Sequence, residues 1–138
     1  MTAESTVRER WTNLLADDDG IAGRMHGIFD EAPARASLPY ILIGGSQSED
    51  WGTKDRDGAE VRMNSVMLCR GDEGVLLSLV AARIEAAVDR LRGVAGDWEI
   101  VSSRALRTRL VREPGDQLRW GIELRARCLR VIEPAAPG

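Results

Sequence analysis

One histidine, His26, is all that the 138 residues contain. Catalysis by a serine or cysteine nucleophile needs a base within hydrogen-bond reach. His26 lies between Met25 and Gly27 in a segment without clear periodicity, which points to a structural or solvated loop residue. Cysteine is nearly as scarce. Cys69 and Cys128 are too few for a disulfide scaffold and lack the spacing of a zinc site. Both fall on the apolar phase of strand-like segments, where a thiol packs as an inert hydrophobe. A reducing cytoplasm is the expected site of synthesis. Aromatics make up 4% of the chain, leaving little for stacking on nucleic-acid bases. The longest nearly apolar run, Val75 to Ala82, is broken by Ser78; a spanning helix needs roughly 18 such residues. No membrane partner is expected. The opening MTAESTVRERW lacks the apolar core of a secretory signal, so none is expected.

What is present suits a folded chain. The hydrophobic fraction is 43% and the charged fraction 30%, values that argue against disorder. Residues 1–132 are expected to form one α+β domain. Residues 133–138 (EPAAPG) are expected to be a disordered tail. The net charge of −3 hides an asymmetry. Residues 1–99 carry 11 basic and 18 acidic groups, residues 100–138 carry 8 and 4, so the two parts differ in sign at −7 and +4. Lys54 is the only lysine, and every basic group after residue 99 is arginine. Such polarity can draw copies of one chain together, or a partner of opposite sign. A general nucleic-acid binder would be basic overall.

Periodicity gives the element order. Glu4–Asp17 reads as an amphipathic helix with Val7, Trp11, Leu14 and Leu15 on one face, capped by Ser5 or Thr6. Ile21–Phe29 is ambiguous. Leu38–Ile43 reads as a strand buried on both faces, stopped by Gly44-Gly45. Ser46–Gly58 reads as a long loop or flexible hairpin tip. Glu60–Arg70 alternates, with Val61, Met63, Ser65, Met67 and Cys69 on one side. Asp72–Leu91 is the strongest helix, its stripe including Leu76, Leu79, Val80, Ile84, Ala87, Val88 and Leu91, with Gly93 as C-cap. Trp98–Arg112 and Leu118–Ile132 read as a long hairpin turning at Glu113-Pro114-Gly115-Asp116. The order implies a mostly antiparallel sheet, two main helices on one face and a long C-terminal β-hairpin.

Chemistry is sparse. Asp17–Asp19 and the pair Asp55 and Asp57 fit a helix terminus and a solvated loop better than a raised-pKa acid. Asp55-Arg56-Asp57-Gly58 is only a fragment of a calcium loop. Gly44-Gly45-Ser46 lacks the lysine of a phosphate loop. No cofactor, metal or catalytic residue is expected. The arginines of the hairpin stand out: Arg104, Arg107, Arg109, Arg112, Arg119, Arg125, Arg127 and Arg130. They fit a solvated face that discourages edge pairing. They fit equally an inter-subunit surface meeting carboxylates of another copy. Phosphate contact with DNA is a weaker third reading. Trp51, in the polar loop with Lys54 and Arg56, either anchors on a partner or folds back against its own chain.

These residues, taken in order, resemble a family: the tail-completion or tail terminator proteins of long-tailed bacteriophages and gene transfer agents. The likeness runs from about Val7 to Ile132. It rests on VRERWTNLLADD, LPYILIGG, SEDWGTKD, GAEVRMNSVMLCRG, DEGVLLSLVAARIEAAVDRL and the C-terminal strand pair, in that order. The resemblance implies a virion structural protein, not an enzyme. It implies a ring, usually of six copies, at the head-proximal end of the tail tube. That ring ends tube polymerisation and joins the tail to the head connector or stopper, with DNA only as transiting cargo. Its partners would be itself, the tube protein and the connector; its place would be the head–tail neck, after synthesis in a bacterial cytoplasm. It carries over no catalytic residue. Trp51, Lys54, Arg56 and the arginines from Arg104 to Arg127 are the candidate subunit or partner interface. The alternatives are another connector component, such as a stopper or adaptor, and a small ligand-binding or enzymatic α+β domain.

Overall fold

Thr2, rather than Ser5 or Thr6, starts the first helix. Its Oγ1 accepts the Ser5 backbone N–H at 3.1 Å, which satisfies one of the free donors at a helix start. The structure, a computed structural model, describes residues 1–132; the expectation for 133–138 lies outside the described residues. Helix α1 spans Ala3–Ala16 and buries Val7, Trp11 and Leu15, while Leu14 is half-buried. The aspartates after it do more than stop it. Asp18 caps a second, four-residue helix, α2 (Asp19–Ala22), by accepting from Gly20 N–H. The ambiguous stretch thus holds α2 and a two-residue strand, β1 (Ile28–Phe29).

Strand β2 runs Tyr40–Asp50, so Gly44-Gly45 does not end it. The pair forms an irregularity in the register with β3 (Gly58–Arg70), between Ile43 and Ser46. An extra residue in one strand is absorbed this way and the pairing continues. Arg8 from α1 donates to the Gly44 carbonyl at 2.6 Å, satisfying an acceptor that the bulge exposes. The expected loop therefore shrinks to the tip between Asp50 and Gly58. Ile41 and Ile43 are buried, whereas Tyr40 and Leu42 are only half-buried, because no helix covers their side.

Helix α3 (Gly74–Asp89) buries Leu77, Val80, Ile84, Ala87 and Val88. Leu79, expected within the stripe, is 53% exposed, and Leu77 takes the inward position. Gly93 does not cap α3, which ends at Arg90. With φ +132° Gly93 opens a short strand, β4 (Gly93–Ala95), that periodicity missed. The end of α3 is closed instead by Arg10, which donates to the carbonyls of Leu91, Arg90 and Arg92 at 2.7, 3.2 and 3.0 Å. A guanidinium there also suits the negative end of the helix dipole.

Strands β5 (Trp98–Glu113) and β6 (Gln117–Arg130) make the hairpin. Its turn places Gly115 and Asp116 at positive φ, conformations that glycine and aspartate tolerate best. The sheet order is β1-β2-β3-β6-β5-β4, antiparallel except for β1 on β2. Inward residues of β3 and β6 alternate, as in Val61, Met63 and Met67 against Ile122, Leu124 and Ala126, and α1 and α3 cover that face. The α+β class, mostly antiparallel sheet and long C-terminal hairpin are as the sequence implies.

Candidate subunit interface

The side of the sheet away from the helices collects the charges. Pairing register places Gln47, Arg62, Arg125 and Arg104 in one row across β2, β3, β6 and β5. The next row is Glu49, Glu60, Arg127 and Ser102. Residues directly paired lie on one face, so Arg104, Arg107, Arg109, Arg119, Arg125 and Arg127 share the outer face. Arg112 pairs with Leu118 and lies on the opposite side, near the hairpin tip.

Most of these cations have carboxylates within their own chain. Glu60, 13% exposed, lies 3.0 Å from Arg127, 3.8 Å from Arg125 and 3.7 Å from Arg62. Three guanidiniums around one carboxylate leave local positive charge, and the Nε atoms of Arg62 and Arg125 are buried without a hydrogen-bond partner. Arg107 pairs with Glu123 at 3.0 Å, Arg119 with Glu113 at 3.7 Å, and Arg112 with Asp116 at 3.3 Å. Arg104 and Arg109 are exposed, and no carboxylate of the described residues lies within ion-pair distance of either. Arg130 sits over the Trp98 ring, 5.0 Å from its centroid.

The tip folds back on the sheet. Thr53 Oγ1 accepts from the N–H groups of Asp55 and Arg56, and Asp50 accepts from Gly52. Trp51 is half-buried, with the Arg127 guanidinium 5.5 Å from its ring centroid. Arg56 donates to the Arg130 carbonyl at 3.0 and 2.8 Å and lies 3.5 Å from Glu99. It fastens the tip to the end of β6. Lys54 is exposed at the tip. The structure thus brings Trp51 and Arg127 together, ties Arg56 to Arg130 and Glu99 instead, keeps Lys54 apart, and leaves Arg104 and Arg109 exposed on the part of β5 that β4 does not cover. The exposed stretch of β2 opposite, with Glu49 and Asp50, completes the charged surface. Only the charge asymmetry of the sequence hinted at it.

Among the described residues, no three or more His, Cys, Asp or Glu side chains are placed to hold a metal ion. Burial pushes both thiols up to about 11, which keeps them protonated at neutral pH. His26 is exposed in a loop. A groove of about 540 Å³, lined by Glu9, Arg10, Asn13, Leu14 and Asp97 among others, lies on the helical side, away from the hairpin arginines. No helix of the described residues is long and apolar enough to cross a membrane.

Comparison with known proteins places this arrangement. No curated protein sequence matches the chain. In fold it is similar to a chain from the virion of a native gene transfer agent particle, with a TM-score of 0.75 and 19% identity. The match covers 94% of this chain and 99% of that one. The family described as Tail completion protein gp17 matches residues 11–128. The chain therefore belongs to the tail completion protein family and is a structural component of a phage-type tail.

Proposed function

We propose that this protein is a tail terminator. It forms a hexameric ring at the head-proximal end of the tail tube, ends tube growth and offers the head connector a docking surface. DNA crosses its lumen only in transit, and the chain acts by assembly rather than catalysis. The observation that carries this reading is the family match over residues 11–128. The charge pattern agrees with it. A ring needs two unlike patches on each subunit that meet when rotation closes the assembly, and a chain split into −7 and +4 parts supplies patches of opposite sign. Lys54 and the surrounding tip are a second contact, facing the tube or the connector. The likeness in fold to a chain from a gene transfer agent virion supports a place in the assembled particle.

The test is electron microscopy of particles made without a functional copy of the chain. Over-long tails, with or without heads, are expected, and tails of normal length should return when the chain is supplied. Tails of normal length that fail to join heads would assign the chain to the connector instead.

A further inference from the structure

The sheet ends in two free edges of opposite charge. Strand β4 covers only Trp98–Ile100 of β5, so Val101–Glu113 has no strand on its outer side among the described residues. Strand β1 covers only Ile41 and Leu42 of β2, which leaves Ser46–Asp50 equally open. The first edge presents Arg104, Arg107 and Arg109 on the outer face; the second presents Glu49 there. Each edge also holds a like-charge pair with its inner neighbour, Arg104 opposite Arg125 and Glu49 opposite Glu60. Like charges directly opposite are unfavourable in a sheet; Glu60 already has Arg62, Arg125 and Arg127 around it, whereas Arg104 has no carboxylate of the described residues within ion-pair distance, so an acidic group arriving from outside supplies its partner.

We infer that β5 of one copy pairs with β2 of the next, edge to edge, with Glu49 beside Arg104. The inference rests on the ring reading above and names its interface. Strand direction supports it. From β2 through β3 and β6 to β5 every step is antiparallel, so β2 and β5 of one chain run in opposite directions. Rotation about an axis along the strands preserves direction, so β5 meets the next copy's β2 as an antiparallel neighbour. Glu49 lies one row from Arg104 in the register, so a stagger of two residues between copies aligns them. A closed sheet requires stagger of this kind. Charged residues and bulges on edges also guard against random pairing. Here a β5–β5 contact would set arginine against arginine, and so the guard leaves the acidic edge as the partner.

The test places Glu49→Cys and Arg104→Cys in one chain. The native thiols, Cys69 and Cys128, are fully buried and do not interfere. Oxidation is carried out on the purified chain at high concentration and on tails assembled with it. A ladder of covalent multimers beyond the dimer is expected, with none from either single-cysteine variant. In parallel, Glu49→Arg or Arg104→Glu alone should weaken assembly by about tenfold or more, as loss of a close interfacial ion pair does, and the two reversals together should restore it. Tails ended at normal length without a ladder in either sample would overturn the edge pairing and leave the terminator reading standing. A ladder from a chain whose loss leaves tails unchanged would support the pairing and remove the terminator role.

Discussion

Ser65 shows how much one hydroxyl can matter in a core this apolar. It is 3% exposed on β3, and its Oγ accepts the indole N–H of fully buried Trp11 at 3.1 Å. Replacing it with alanine removes little volume but leaves the indole donor without a partner. A buried donor left unpaired costs about 1–3 kcal/mol. Ser65→Ala is therefore expected to lower the unfolding free energy by that amount, read as a lower urea midpoint at unchanged slope; an unfolding curve that overlays the wild type would show that the bond contributes nothing. The sequence revealed half of this. Alternation along Glu60–Arg70 puts Ser65 on the inward side, and helical spacing puts Trp11 on the inward face. That the two meet across 54 positions depends on how α1 crosses the sheet, which no local pattern encodes. The arginines divide in the same way. Alternation predicts a shared face for Arg119, Arg125 and Arg127, but Arg104 joins Arg107 and Arg109 on that face only through the irregularity between Ala105 and Arg107, and which of them finds a carboxylate depends on register.

Between elements, tertiary contacts override local signals. Gly44-Gly45 reads as a stop because paired glycines usually break a strand; here Arg8 and β3 hold the extra residue as a bulge. The two glycines differ sharply. A Cβ on Gly44 would lie 2.5 Å from the Asn64 backbone oxygen, whereas a Cβ on Gly45 would meet nothing within 4 Å. Gly44→Ala should destabilise by about 1–3 kcal/mol, as overpacking does, and Gly45→Ala by less than about 0.5 kcal/mol. Equal thermal shifts in the two variants would contradict the bulge. Asp18 joins elements as well. It caps α2 and receives Arg83 of α3 at 2.8 Å, with Arg90 at 3.6 Å. The hydrogen bond from Arg83 holds its carboxyl below the ordinary value of 3.8. A lowered folded-state value means that the ionised form is stabilised above the ordinary value, and that this stability is lost as pH falls through the folded one. Asp18→Asn should thus be less stable than the wild type near neutrality, with the gap closing in acid below pH 3.8. A gap constant with pH would point to capping alone.

At the scale of the whole molecule, core and surface answer to different forces. The fold rests on apolar burial between one sheet face and two helices, an interaction that moderate salt barely touches. Assembly, in the reading proposed above, joins a −7 part to a +4 part across exposed edges, where salt screens charge effectively. The screening length falls from about 10 Å at 0.1 M ionic strength to about 3 Å at 1 M. The two processes should therefore separate on one axis. Raising salt from about 0.1 M to 1 M is expected to leave the thermal midpoint nearly unchanged. The same change should reduce the mass of the oligomer in sedimentation and the fraction of tail tubes ended at normal length. Arg104→Glu with Glu49→Arg keeps the net charge of the chain and the sign complementarity of its edges, so its salt response should match the wild type. Either reversal alone sets like charges together, and its residual assembly should improve as salt screens the repulsion. An assembly that tightens with salt in the wild type would instead place the subunit contact on exposed apolar residues such as Val75 and Leu79 of α3, and the charged edges would then serve solubility alone.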